Sequence, residues 1–252
     1  MVNIFKVQLH NHTKFSKDSI LPFCCILYLC KLENIDYIAI TDHDNIAGAI
    51  AFREYCKRKK ASLNVIIGEE IMTVDGEIIG LYMTRDIPGG LTASETIGLL
   101  KEQGAVIYIP HPYDIRRKKT GLKESIICEY VEVIHCIECW NGRNSHISYG
   151  LQQEKIAQKY NIKSVVGADA HTFWEFGKNV MYFPKEPVNA NAFINGLDEA
   201  IMSKGKIRNI VHFITKIDRL LKIMISGDFN EVRRIIIKKI NNRKFRVSKN
   251  NR

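Results

Sequence analysis

Short apolar segments that each end in a histidine or a carboxylate recur along this chain, and they constrain its fold more than any other feature. The first, residues 2–9, carries an apolar alternation typical of a β-strand. Residues two apart on a strand point to the same face, so His10 and His12 can present two imidazoles to one metal ion. A single His-x-His pair is a weak signal, and its interpretation depends on the later segments.

Predicted strands and helices alternate along the rest of the chain. Further strands are expected at 36–41, 64–67, 105–109, 131–140 and 163–166. Helices are expected between them at 19–34, 46–60, 93–103 and 146–160. Residues 75–83 resemble one arm of a hairpin. This alternation predicts an α/β fold with a parallel, barrel-like sheet.

Polar residues collect where the predicted strands end, and that is the face on which α/β barrels build their active sites. Structural histidines would have no reason to gather there. The residues at these positions are His10, His12, Asp42, His43, Glu70, His111, Glu138, Asn141, Asp169 and His171.

The first residues of the chain and its cysteines indicate the cellular location to expect. No basic patch followed by an apolar run and a cleavage site marks a secretory signal. The longest apolar run, residues 20–30, is too short to span a membrane and contains Pro22. Seven cysteines are an odd number in a chain without an export signal. We therefore expect reduced thiols and a cytoplasmic location.

The net charge of +10 is concentrated near the C-terminus. From Ser203 onward there are fifteen Lys and Arg residues but three Asp and Glu residues, so the rest of the chain is close to neutral. We therefore expect a barrel domain at residues 1–207 and a basic helical extension, with a frayed end, at residues 208–252.

Six motifs together resemble the PHP family, the polymerase and histidinol phosphatase domain. They occur in the family's order across residues 9–171, and the resemblance covers about residues 1–207. Residues 198–201 resemble the family's closing helix. The motifs are Leu9-His10-Asn11-His12-Thr13 with Ser16 and Asp18, Ile40-Thr41-Asp42-His43-Asp44, Gly68-Glu69-Glu70-Ile71-Met72-Thr73, Pro110-His111-Pro112, Ile137-Glu138-Cys139-Trp140-Asn141-Gly142-Arg143 and Gly167-Ala168-Asp169-Ala170-His171.

The resemblance implies a distorted TIM-like (β/α)7 barrel that binds two or three divalent ions of Mn, Zn or Fe. By position, the first ion would be bound by His10, His12, Glu70 and Asp169. Glu70 would bridge to a second ion bound also by His111. The third ion would be bound by Asp18, His43 and His171.

Four further residues are open as additional ligands or as residues that support the ligands. Glu77 stands where some relatives carry a histidine ligand. His146 lies at a plausible offset for a ligand of the full three-metal site, whereas Glu138 and Asn141 can either bind a metal or only shape the site.

The residue types themselves favour metal-assisted hydrolysis. Mixed imidazole and carboxylate ligands suit Mn, Fe or Zn better than a Ca or Mg cage. Such ions activate a bound water and stabilise the attacking and leaving oxygens in phosphoryl transfer. Arg143 would bind the phosphate oxygens, unless it is a surface residue. The leaving group would be protonated by Asp44 or by a metal-bound water, and the nucleophile would be water.

We therefore expect a metal-dependent phosphoesterase acting on a phosphomonoester or on a nucleotide or short oligonucleotide. A non-catalytic PHP scaffold or nucleic-acid-binding module is the first alternative, although an intact ligand set argues against it. A metal-dependent amidohydrolase is the second alternative, because related metal barrels hydrolyse amides.

The basic extension has two apolar stripes at helical spacing, over residues 207–224 and 232–240. One interpretation is a helical pair that packs on the barrel with a solvated basic face. A second is non-specific contact with nucleic acid, because clustered Lys and Arg bind phosphate backbones. A third is binding to anionic lipid.

Overall fold

The structure is a computed structural model that describes residues 3–113, 120–144, 146–205 and 210–226. Its strands are β1 (Phe5–Asn11), β2 (Tyr37–Ile40), β3 (Asn64–Met72), β4 (Glu77–Leu81), β5 (Val106–Ile109), β6 (Cys136–Asn141), β7 (Lys163–Gly167), β8 (Val180–Phe183) and β9 (Ile201–Ser203). Its helices are α1 (Phe23–Leu32), α2 (Ala47–Arg58), α3 (Ala93–Glu102), α4 (Glu124–Glu129), α5 (Ile147–Lys159), α6 (Ala190–Gly196) and α7 (Ile210–Ser226), and a 3-10 turn covers Phe173–Glu175.

The strands form one sheet in the order β7-β6-β5-β4-β3-β2-β1-β8-β9. The pairs β1–β2, β2–β3, β5–β6 and β6–β7 are parallel. Strand β4 runs antiparallel to both of its neighbours, which confirms the predicted hairpin arm. Strands β8 and β9 continue the sheet as antiparallel strands beside β1.

Backbone hydrogen bonds beyond the end of β7 nearly close the sheet into a barrel. The amide of Ala168 donates to the carbonyl of Leu9 at 2.9 Å, and the amide of His12 donates to the carbonyl of Ala170 at 2.9 Å. The fold is therefore the expected distorted TIM-like barrel. This closure also brings two motif regions, 167–171 and 9–13, side by side.

Alternation along the strands separates two apolar layers. On β2, Ile38 and Ile40 pack with residues of the surrounding helices, such as Phe52 of α2. Tyr37 and Ala39 belong to a second cluster, made of inward-facing strand residues and of α6. Apolar side chains thus pack on both sides of the sheet because successive strand residues point to opposite faces. The polar residues of the motifs lie at the ends of the strands.

Several boundaries differ from those that the sequence predicted. Helix α1 begins after Pro22 and not at Ser19, because a proline is accommodated at the start of a helix but not within it. Strand β6 is shorter than expected, since α4 and a turn occupy the residues before it. The predicted closing helix at 198–201 is wrong, and that stretch leads into β9.

Part of the predicted extension lies outside the described residues. These include the second apolar stripe, residues 232–240. The first stripe is largely within α7. In the described ranges, no helix has the length and apolarity needed to cross a bilayer.

The barrel interior is tightly packed around Gly167, the last residue of β7. A Cβ atom there would lie 1.5 Å from Oε1 of the buried Glu138 on β6. We expect Gly167→Ala to lower the free energy of unfolding by about 3 kcal/mol or more, because the interior cannot accommodate the methyl group. Urea denaturation measures this change.

Gly98→Ala is the matched control. Gly98 lies on an exposed face of α3, and a Cβ atom there meets nothing within 4 Å. That change should stabilise the protein by roughly 0.5–1 kcal/mol through helix propensity. Equal effects of the two substitutions would contradict the predicted crowding at Gly167.

Candidate metal centre

Histidine and carboxylate side chains from six strand ends and the loops after them converge at one end of the barrel. Nine of them belong to overlapping groups whose possible ligand atoms lie within 4.8 Å of one another. Most are fully buried, while Asp18 and His43 keep 23% and 11% of their side-chain surface exposed. The nine residues are His10, His12, Asp18, His43, Glu70, Glu77, His111, Asp169 and His171.

Glu70 of β3 lies at the middle of this cluster. Its Oε1 is 3.3 Å from His10 Nε2 and 3.1 Å from His111 Nε2. Its Oε2 is 3.3 Å from both His12 Nε2 and His43 Nδ1. Each carboxylate oxygen therefore faces two imidazoles, as a carboxylate that bridges two ions would require.

Two smaller groups flank Glu70. Asp169 Oδ1 lies 3.7 Å from the Nε2 atoms of both His10 and His12. On the other side, Asp18 contacts His171 Nε2 at 3.2 Å and His43 Nε2 at 3.6 Å. The structure thus brings together all eight residues predicted as ligands.

Glu77, which the sequence left open, also belongs to the cluster. It is the first residue of β4 and is buried. Its carboxylate lies 3.5 Å from His111 Nε2 and 4.0 Å from His43 Nδ1. The antiparallel register pairs it with Met72 of β3, so it lies diagonally from Glu70 on the same face of the sheet.

The hydrogen bonds of the histidines leave nitrogen lone pairs directed into the cluster. His10 Nδ1 donates to Glu138 at 3.1 Å, and His171 Nδ1 donates to the carbonyl of Asp169 at 2.9 Å, since neither partner carries a proton. His12 Nδ1 lies 2.9 Å from the hydroxyl of Ser16. Their Nε2 atoms are buried and have no hydrogen-bond partner among the described residues.

This arrangement fits a divalent metal site. A metal-binding histidine usually donates its other ring N–H to a carboxylate, carbonyl or similar group, which fixes the ring. Unpartnered buried nitrogen atoms are costly unless a ligand satisfies them. Mixed nitrogen and oxygen donors without cysteine suit Mn, Fe or Zn.

Glu138 on β6 accepts hydrogen bonds from two histidines of the cluster and from neighbouring residues. The buried carboxylate accepts hydrogen bonds from Tyr108 Oη at 2.5 Å, from the His111 amide at 2.8 Å and from Asn141 Nδ2 at 2.8 Å, besides His10. Asn141 Nδ2 also lies 3.2 Å from Asp169 Oδ2. Of the two roles that the sequence left open for them, the contacts favour orientation of the ligands.

Three residues of the cluster have backbone conformations that only glycine adopts easily. The φ angles of His10, His111 and Asp169 are 61°, 27° and 49°. Such angles in non-glycine residues cost of order 1–3 kcal/mol each and concentrate at functional sites. Their coincidence here identifies this end of the barrel as the candidate site.

Mutual proximity shifts the ionisation of the cluster. Burial alone would raise the pKa of Glu70, but His10 and His43 hold it well below its usual value. Burial alone would lower the pKa of His43, but Glu70 and Asp18 raise it to about 9. Burial, with His171 and His43 nearby, lowers the pKa of His12. Without a metal, the centre is therefore partly protonated at neutral pH.

Three residues with predicted site roles lie outside the cluster. Arg143, expected to bind phosphate, is 5% exposed and pairs with Glu175 at 3.0 Å. His146, considered as a ligand, is exposed and accepts a hydrogen bond from Ser148 at the start of α5. Asp44, considered as an acid, is exposed and accepts a hydrogen bond from the Met72 amide at 2.8 Å.

Known proteins resemble this chain over most of its length. A family model of the PHP domain matches residues 8–236. An uncharacterized protein of Methanocaldococcus jannaschii is 33% identical over 215 residues, which cover 80% of this chain and 84% of that protein.

Two solved structures share the fold. One is a two-domain protein from Bacteroides vulgatus containing a predicted PHP-like metal-dependent phosphoesterase, with a TM-score of 0.66, 16% identity and 81% of this chain covered. The match spans 65% of that protein's length. The other is an amidohydrolase from Chromobacterium violaceum, with a TM-score of 0.57, 14% identity, and 78% of this chain and 97% of that one covered.

Metal affinity should rise with pH because an incoming ion displaces the proton of His43. With a pKa of about 9 for that group, and a raised pKa for His10 as well, the affinity is expected to increase by about tenfold or more per pH unit between pH 7 and 8.5. Anaerobic Mn²⁺ titration calorimetry in buffers of different ionisation enthalpy measures both the affinity and the protons released.

The variant His43→Asn should have a shallower pH dependence, whereas His146→Asn, at an exposed position outside the cluster, should keep the full dependence. Some dependence remains in His43→Asn because, against the effect of burial, Glu70 and Asp169 hold the pKa of His10 well above its usual value. A wild-type affinity that is constant over this pH range would contradict the assignment.

Proposed function

Because the chain belongs to the PHP domain family, we propose that it is a metal-dependent phosphoesterase that hydrolyses a phosphomonoester, a nucleotide or a short oligonucleotide. The observation that carries the proposal is the Glu70 carboxylate, which faces four imidazoles at 3.1–3.3 Å. This is the donor arrangement that adjacent divalent ions require.

The proposed ligands follow the observed groups. His10, His12, Glu70 and Asp169 would bind a first ion. Glu70, Glu77 and His111 would bind a second ion. His43, Asp18 and His171 would bind a third, with His12 nearby. Two or three ions of Mn, Zn or Fe are therefore proposed. When bound, such ions lower the pKa of a water molecule and neutralise charge on the phosphoryl oxygens.

Other residues of the protein orient the histidines that would bind the ions. Glu138 fixes the His10 ring by accepting its Nδ1 proton, and Ser16 contacts the ring of His12. Since Arg143 is engaged with Glu175, the phosphate charge would be stabilised mainly by the metal ions. The proton for the leaving group would come from solvent or from Asp44, at the exposed rim.

Two rival functions remain distinct from this proposal. A non-catalytic scaffold would have no need for strained backbone at three candidate ligands. An amidohydrolase is favoured by one observation, the shared fold with the Chromobacterium violaceum amidohydrolase. Metal-binding barrels can hydrolyse phosphoester bonds or amide bonds, so activity assays have to include amide substrates.

We also propose a cytoplasmic location and a phosphorylated small-molecule or nucleotide substrate. All seven cysteines are free in the structure, as reduced thiols would be. The basic C-terminal residues would add non-specific contacts to a nucleic-acid substrate.

The variant Glu70→Gln tests the proposed centre. Removing the carboxylate charge should weaken binding of two ions and lower turnover by at least a thousandfold, because both ions depend on this residue. After Mn²⁺ or Zn²⁺ loading, the readout is phosphate release for the monoesters and release of shorter products for the RNA. The panel contains an aryl phosphate, mononucleotides, a 3′,5′-bisphosphonucleoside, histidinol phosphate, a short RNA and, for the rival function, amide substrates.

Glu69→Gln is the matched control on the same strand. Burial raises the pKa of Glu69 to about 8, so its side chain is mostly protonated at pH 7 and glutamine closely replaces it. Its activity should match that of the wild type. Wild-type turnover in Glu70→Gln would remove Glu70 from the site, and hydrolysis of amides alone would favour the amidohydrolase.

Deletion of residues 227–252 tests the nucleic-acid contact while leaving α7 in place. That segment contains nine Lys and Arg residues against two acidic ones. The KM for the short RNA should rise at least tenfold at low salt, and the KM for the aryl phosphate should not change. Equal changes for both substrates would exclude a specific role in nucleic-acid binding.

A further inference from the structure

We propose that Lys222 of α7 is a positioning residue that fixes the loop carrying Asp18, and that α7 thereby controls occupancy of the metal position formed with His43 and His171. This inference rests on the proposed metal-dependent function. It assigns a role in the centre to a residue far from every metal-binding motif in the sequence.

The loop between β1 and α1 carries Asp18 and supports two ligands. Ser16 Oγ lies 2.9 Å from His12 Nδ1 and accepts a hydrogen bond from the His43 amide at 3.1 Å. Ser19 Oγ donates to the carbonyls of His12 and His171 at 3.4 and 3.3 Å. A displacement of this loop would therefore move Asp18 and disturb the neighbouring rings.

Lys222 binds this loop through its backbone. Its ammonium group donates to the carbonyl oxygens of Lys14, Ser16 and Ser19, the last at 3.2 Å. An ammonium group has three donors, so these carbonyls satisfy all of them. The acceptors lie on both sides of Asp18 in the sequence, and the lysine therefore closes the loop around that residue.

The first turns of α7 are attached to the loop that follows β7. Arg143 Nη2 donates to the carbonyl of Val211 at 3.3 Å and also to the hydroxyl of Thr215. The same guanidinium pairs with Glu175, whose other carboxylate oxygen accepts the His171 amide at 2.9 Å. Helix α7 thus joins the loop that follows β1 to the loop that follows β7.

The exposed and buried residues of α7 show which face of the helix contacts the site loops. Four large apolar residues on the helix are exposed, namely Phe213, Ile217, Leu221 and Met224. Asp218, in contrast, is buried. Thr215, Asp218 and Lys222 recur at helical spacing. Val211 and Ile223 are buried as well, so this face of α7 combines polar contacts to the site loops with apolar packing.

Several charges surround the lysine. Burial lowers the pKa of Lys222, and the carboxylates of Asp42 and Asp18 oppose that effect. Asp42 itself accepts hydrogen bonds from the amide and hydroxyl of Thr13, at the start of the same loop. The ammonium group thus lies near two anionic side chains, and it leaves Asp18 free to contact His43 and His171.

The test compares Lys222→Met with Lys216→Met, an exposed lysine on the same helix. Metal binding is measured by Mn²⁺ and Zn²⁺ calorimetry on the full chain. Lys222→Met should weaken the same ion that Asp18→Asn weakens by roughly ten- to a hundredfold, the usual effect of removing a residue that orients a metal ligand. The other ions and the Lys216→Met protein should bind as the wild type does.

The double variant Lys222→Met with Asp18→Asn separates positioning from general stabilisation. If Lys222 acts through Asp18, the double variant should bind that ion no more weakly than Asp18→Asn alone. Additive losses, or a lowered melting temperature with unchanged metal affinity, would overturn the proposal. Lys222→Gln, which keeps two N–H donors, replaces Lys222→Met if the latter does not fold.

Failure of this inference and failure of the proposed function give different results. Normal metal binding and hydrolysis by Lys222→Met, in a protein whose wild type is active, overturns only the role of Lys222. A wild-type protein that binds no Mn²⁺ or Zn²⁺ and hydrolyses nothing overturns both.

Discussion

The close approach of four imidazoles to the Glu70 carboxylate is the contact on which the rest of the site depends. A buried carboxylate is costly unless charge and hydrogen bonds compensate it. Here the compensation comes from residues on three different segments of the chain, namely the ends of β1, β2 and β5. The barrel closure between β1 and β7 then adds Asp169 and His171 to the same centre.

The sequence predicted which residues converge at the site, because their placement follows from local rules. Period-two alternation and the common direction of parallel strands bring strand-end residues together whatever the helices do between them. The position of Glu77 was harder to predict, because it depends on the register of the antiparallel β4, which the sequence alone does not reveal. For Glu138, the sequence indicated a location but did not distinguish a ligand from a support.

Residues whose roles depend on distant partners were not predicted. Arg143 follows a motif strand and resembled a phosphate-binding residue, but Glu175 and α7 engage it. Lys222 lies about two hundred residues from the loop that it binds, and nothing near it in the sequence suggests a metal site. Helix α6 had a usable signal in its cap, Asn189, which accepts a hydrogen bond from the Ala192 amide.

The left-handed backbone at His10, His111 and Asp169 has a consequence for the life of the protein in a cell. This strain weakens the folded state, whereas ions that bind only the folded state would stabilise it, by about 2.7 kcal/mol at a hundredfold excess over Kd. Turnover of the polypeptide by proteases would then follow the supply of metal ions, and starvation for these ions would lower its abundance as well as its activity.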